Sequence, residues 1–163
     1  MASGTNLRLD ARDRHVLQLI QRDASLAQAE IARQVGLSTA AVHERLKKLE
    51  AAGVIRRWTA IVDPVAVGAS MTAFVEVFLD HPRYEPSLLE RVAGLDEVLE
   101  CHHVTGEFSL LLKVRVGGMD ALRRLLLHQL GALEGVARTR TVVVLSTVKE
   151  ETYVTPLDKG VEG

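Results

Sequence analysis

"EIARQVGLSTAAVHERLKKLE", residues 30–50, decides how the first third of the chain folds. Ile31 and Val35 stand four apart, and Val42, Leu46 and Leu49 repeat at the spacing of one helical stripe. Between them lie Gly36, Leu37 and Ser38. The glycine suits a left-handed helix exit, and the serine oxygen suits the free N–H groups of the helix that follows. Leu37 is apolar and can plug the space between the two helices. Two short helices joined by so tight a turn have helix-turn-helix grammar, which an ordinary helical hairpin shares. The outer side of the second helix carries His43, Glu44, Arg45, Lys47 and Lys48. That face either meets a polyanion or is the solvated side of an amphipathic helix.

Upstream, "LDARDRHVLQLIQRD" (9–23) is a further amphipathic helix with Val16, Leu17 and Ile20 inward and Asp10 as its cap. The middle helix is expected over 25–36, opened by a Ser25–Gln28 capping pair and ended by Gly36. After Gly53 the pattern changes. "VIRRWTAIVDP" (54–64) is β-branched and aromatic and reads as a strand, serving as a wing or a connector.

From residue 71 strands and helices alternate. Strands are expected at 71–80, 97–106, 108–116 and 136–150. Helices are expected at 87–95, with a Ser87–Glu90 capping box, and at 119–133, with Asp120 as cap. In 108–116, Phe108, Leu110, Leu112, Val114 and Val116 alternate with polar residues. The order β-α-β-β-α-β is the ferredoxin-like arrangement, four antiparallel strands with both helices on one face. Its open face is expected to be apolar, with Phe74 or Val75 and the run 142–145, and so to pair with another copy. The class is α+β. The expected divisions are a helix-turn-helix domain at 1–54, a β-strand linker at 55–70, a ferredoxin-like domain at 71–150 and a polar tail at 151–163.

The net charge of −1 hides an asymmetry: residues 1–62 carry ten Lys/Arg against six Asp/Glu, and residues 63–163 carry ten against fifteen. The basic front suits a polyanion. No apolar run is long enough to span a bilayer, and the start of the chain lacks a secretory pattern. The single cysteine, Cys101, excludes an intramolecular disulfide. A cytoplasmic location fits these features. Cys101, His102 and His103 form no expected metal site, because neighbouring strand residues point to opposite faces and only two of the three share one. No catalytic set or phosphate-binding glycine loop is recognisable, and no cofactor is expected.

Taken together, "LDARDRHVLQLIQRD", "EIARQVGLSTAAVHERLKKLEAAGVIRRWTAIVDPVAVG", "ECHHVTGEFSLLLKV" and "VARTRTVVVLSTVK" resemble the leucine-responsive regulatory protein/AsnC family of prokaryotic transcription regulators over roughly residues 9–149. The resemblance implies an N-terminal, winged-helix-like helix-turn-helix domain and a C-terminal ferredoxin-like (ACT-like, or RAM) domain for oligomerisation and effector binding. It implies double-stranded DNA and a small amino-acid-like effector as partners, and a homodimer that assembles further, often to an octamer. The helix from Ser38 is then the recognition helix. Thr39, Ala40, His43 and Glu44 are the candidates for base edges. Ser38, Arg45, Lys47, Lys48 and, from the preceding helix, Gln28 are the candidates for phosphates. Glu44 has a plainer alternative, an i,i+4 pair with Lys48.

The resemblance places the effector at "HVTGEFS", between the two central strands: Val104, Thr105, Gly106, Glu107, Phe108 and Ser109, with His102 beside them. Many relatives end this motif with Asp. Ser109 here is neutral and weakens the partner for an α-amino group. Two other functions share the architecture, a siroheme-decarboxylase-like enzyme and an amino-acid sensor without DNA binding. The basic residues Arg45, Lys47 and Lys48 on the third helix favour DNA over the enzyme, and the intact turn and cap residues of the motif favour it over the sensor.

Overall fold

In the computed structural model residues 7–157 are described. They form two compact units, residues 7–61 with 150–157, and Val62–Lys149.

The first unit holds α1 (Ala11–Arg22), α2 (Gln28–Val35) and α3 (Thr39–Ala51). Asp10 caps α1 as expected. Its carboxylate accepts the Asp13 N–H at 2.7 Å, while the Asp13 carboxylate accepts the Asp10 N–H at 3.1 Å. The middle helix differs from expectation. It starts at Gln28 behind Ala27, which has no side-chain oxygen to offer. Ser25 does not cap it, because Asp23 accepts both the Ser25 N–H at 2.8 Å and its hydroxyl at 2.6 Å. A charged acceptor two residues away outcompetes the helix end. Gly36 exits α2 at φ 67°, and Ser38 accepts the Ala41 N–H at 3.2 Å to open α3. The stripes meet in one core of Val16, Leu17, Ile20, Ile31, Val35, Val42, Leu46 and Leu49, with Leu37 packed against it.

Residues 54–64, expected as a strand, have no sheet partner among the described residues and form no ladder. Strand geometry is stable only where its N–H and C=O groups are paired. Within this stretch Trp58 Nε1 donates to the Glu50 carboxylate.

The second unit holds β1 (Met71–Leu79), α4 (Glu85–Ala93), β2 (Val98–His103), β3 (Leu110–Val116), α5 (Met119–Arg124) and β4 (Val136–Val143). The sheet order is β2-β3-β1-β4, with every pair antiparallel. Ala73, Val75 and Val77 of β1 and Leu110, Leu112, Val114 and Val116 of β3 meet Leu88, Val92, Leu122, Leu125 and Leu130 from the helices. Both helices therefore cover one face.

Three helix ends correct the sequence reading. The first lies at α4, which begins at Glu85 with Pro86 in its first turn, where the missing N–H costs nothing. Ser87 donates to the Tyr84 carbonyl at 2.9 Å instead of capping. The second is the start of α5, where Gly118 and not Asp120 holds the N-cap position. The third is its far end. After Arg124 the helix widens into a π turn, Leu125–Leu130, closed by Gly131 N–H to Leu126 O at 2.8 Å. The i→i+5 winding brings Leu125 and Leu130, five apart, onto the same buried face.

The open sheet face carries the expected Phe74 and Val142, but it is mixed with charged residues and is not apolar throughout. Val75 points into the helix-covered core, and the open face carries the apolar Phe74, Leu111 and Val142 beside Thr72, Glu76, Lys113, Arg115, Arg138 and Arg140. Arg140 pairs with Glu76, and Lys113 with Glu100 at 3.1 Å. Phe108 also departs from the expected stripe. It lies outside β3 with its ring 5.8 Å from that of Phe78.

Candidate functional site

The outward side of α3 is built by exclusion. Val42, Leu46 and Leu49 are buried, so Ala40, His43, Glu44, Lys47 and Lys48 stand exposed, with Thr39 exposed at the start of the helix. No acidic residue occupies the first turn of α3, which leaves the positive end of the helix dipole uncompensated. Glu44 does not reach Lys48. It lies 4.0 Å from Lys47, both side chains being well exposed, and such a contact contributes little. Gln28 is half-buried at the start of α2, and the Ser38 hydroxyl is already the cap of α3.

Arg45 departs from the others. Its guanidinium turns back across the unit to α1, bonding the Asp10 carboxylate at 2.7 Å and the Asp13 carboxylate as well. Asp13 is the one buried charged residue among those described, at 3% exposure. The Asp13 N–H first, and then Arg45, hold the Asp10 carboxyl below its ordinary value. A depressed carboxyl stabilises the fold above its unfolded-state value, near 3.8, and that contribution disappears as pH falls through the lower folded value. The group that sequence reasoning set among the phosphate contacts is thus a strut between α1 and α3. Arg45 carried no linear signal of this, because its partners lie 32 and 35 residues away.

The second candidate region is the bend Val104–Ser109 between β2 and β3. Thr105, Gly106 and Glu107 are exposed, Val104, Phe108 and Ser109 half-buried, and Ser109 N–H donates to the Val77 carbonyl at 3.0 Å. A Cβ on Gly106 would meet open space. His102 lies on the open sheet face, its Nε2 3.1 Å from Glu100, whereas His103 faces the helix side, 3.0 Å from Glu85. Two residues that the sequence did not single out adjoin the loop. The Phe78 ring lies tilted at 57° to that of Phe108, and the Arg138 guanidinium sits 3.9 Å above the Phe78 ring. Among the described residues no three His, Cys, Asp or Glu gather closely enough to hold a metal ion, and no helix is long and apolar enough to cross a membrane.

A basic helix face and a ferredoxin-like sheet recur together in known proteins. A family model described as winged helix-turn-helix DNA-binding matches residues 9–56, and one described as Lrp/AsnC ligand binding domain matches residues 72–154. The leucine-responsive regulatory protein of Escherichia coli is 41% identical over 146 residues, 87% of this chain and 88% of that protein. The chain belongs to the Lrp/AsnC family. Solved structures of Lrp/AsnC and related regulators agree with it closely. Escherichia coli AsnC superposes with a TM-score of 0.85 at 31% identity, covering 91% of this chain and 99% of that one. A transcriptional regulator from Neisseria meningitidis, solved in complex with L-methionine, gives a TM-score of 0.86 at 31% identity over 90% and 96% of the two chains. Like its Lrp/AsnC relatives, the protein is a DNA-binding transcription regulator.

Proposed function

We propose that the protein acts in the cytoplasm as a homodimer, assembling further, that reads DNA with α3 and answers to a small amino acid bound at the 104–109 loop of neighbouring subunits. The observation that carries the DNA reading is the outward face of α3, where Lys47, Lys48 and His43 stand exposed on a helix fixed by its own core. Thr39, Ala40, His43 and Glu44 are the base-reading set. Lys47 and Lys48, with Ser38 and Gln28 at helix starts, take phosphates. Arg45 positions α3. The amino-acid reading is supported by the methionine bound to the Neisseria relative and by the exposed, glycine-containing bend here. A loop exposed on one subunit becomes a cleft only when another covers it. A catalytic role is not part of this reading, since the relatives are regulators.

The test is binding of purified protein to its own upstream DNA and to unrelated DNA, over a salt titration, with and without amino acids. Preference for one DNA with a steep salt slope is expected. Absence of binding to either at low salt would overturn the reading and direct attention to tetrapyrrole binding. Lys48→Ala should weaken every sequence alike and lower the salt slope by roughly one. His43→Ala should instead change the ranking among sites. For the loop, Gly106→Trp should abolish the amino-acid response and leave basal DNA binding intact. A normal response in that variant would remove the loop from the effector site.

A further inference from the structure

Residues 150–157 follow the last strand, and their composition reads as a polar tail. They lie instead within the first unit, against the C-terminal end of α1. The Gln21 side chain makes the contact. Its Oε1 accepts the Val154 N–H at 2.9 Å, and its Nε2 donates to the Val154 carbonyl at 3.0 Å and to the Leu17 carbonyl at 3.1 Å. A side-chain amide thereby does what a neighbouring strand would do, satisfying both backbone groups of one extended residue. The next residue of α1 adds a second contact, with the Arg22 guanidinium 5.7 Å from the centre of the Tyr153 ring. Thr152, Val154 and Pro156 alternate along the segment and line a concavity of about 760 Å³ together with Leu17, Ile20 and Trp58.

We infer that this end of α1 is a docking surface for an extended peptide, and that its occupant is the chain's own segment 150–157, acting as a strap on the DNA-binding unit. The chain passes from the first unit to the second at Ile61 and returns at Glu150, so the docked strap gives the reading unit a second attachment besides the connector. The strap grips one end of α1, and Arg45 ties the other end to α3. A restraint on the strap is therefore felt by the recognition helix. Released, the unit would hang on the single chain crossing after Ile61 and tolerate a wider range of separations between half-sites.

The test uses the full-length protein and Gln21→Ala, an exposed change outside the core. Hydrogen exchange at the Val154 amide is read first. Protection in the parent and exchange at least about tenfold faster in the variant, with unchanged circular dichroism, are expected. Exchange at the rate of a free peptide in the parent, or equal protection in both, would overturn the strap. The second reading varies the spacing of two half-sites in the DNA. The parent should favour one spacing, and Gln21→Ala should flatten that preference. This arm rests on the proposed function, in which a homodimer sets two copies of α3 on two half-sites of the DNA. If the parent itself shows no preference, that reading fails while the exchange result still decides the strap. If the parent discriminates and the variant does so equally well despite a released strap, the coupling to α3 is wrong.

Discussion

Arg45→Ala is expected to destabilise the DNA-binding unit by about 2–3 kcal/mol while leaving the salt slope of DNA binding unchanged. Asp13 is 3% exposed, and Arg45 supplies its cationic partner. Removing the guanidinium leaves a buried carboxylate with only the Asp10 N–H, and an uncompensated buried charge costs far more than a surface pair gains. The Asp10 arm adds little, because that carboxylate is half exposed. Arg45→Lys should fall between, since one ammonium cannot repeat the two-carboxylate grip of a planar guanidinium. Urea unfolding followed by tryptophan fluorescence checks this directly. Trp58 is the only tryptophan and lies in the same unit, so the signal reports on the strut without mixing in the sheet. Unchanged stability with a salt slope lower by roughly one would return Arg45 to the phosphate contacts.

Gly135→Ala should cost the second unit about 2–4 kcal/mol, from two sources that add. Gly135 has φ 85°, where an L-residue is strained by about 1–2 kcal/mol. A Cβ there would also lie 2.1 Å from Cγ of Tyr84, so the ring and the turn that carries it must move. The site is poorly placed to yield. The Gly135 carbonyl accepts the Asp80 N–H at 2.9 Å and fixes the end of β1 against the start of β4. Calorimetry of the full chain should show a lowered transition for the second unit and an unchanged one for the first. A change within about 0.5 kcal/mol, the range of neutral surface substitutions, would mean the turn is not held as described.

The two glycine positions show what a linear reading can reach. Gly36 stood between two helical stripes, so its left-handed exit was evident from its neighbours. Gly135 stood in a loop, and nothing beside it announced that Tyr84, fifty-one residues earlier, would close over it. Capping behaved in the same way. Asp10 and Ser38 capped the helices they precede, Asp10 with one carboxylate oxygen while the other takes Arg45. Ser25 and Ser87 had the right spacing and were taken by Asp23 and by the Tyr84 carbonyl.

The sequence alone determined the helix-turn-helix, the order of the ferredoxin-like elements and the outward face of α3. These follow from period and turn chemistry, which act over a few residues and repeat often enough to average out single exceptions. Tertiary structure alone decided that Arg45 is a strut, that the open sheet face mixes charged with apolar residues, that residues 54–64 form no ladder among the described residues and that residues 150–157 dock on α1. Each depends on which partners the rest of the described chain supplies. A long polar side chain, an extended backbone or an exposed strand face is compatible with several partners until folding brings one of them within bonding distance.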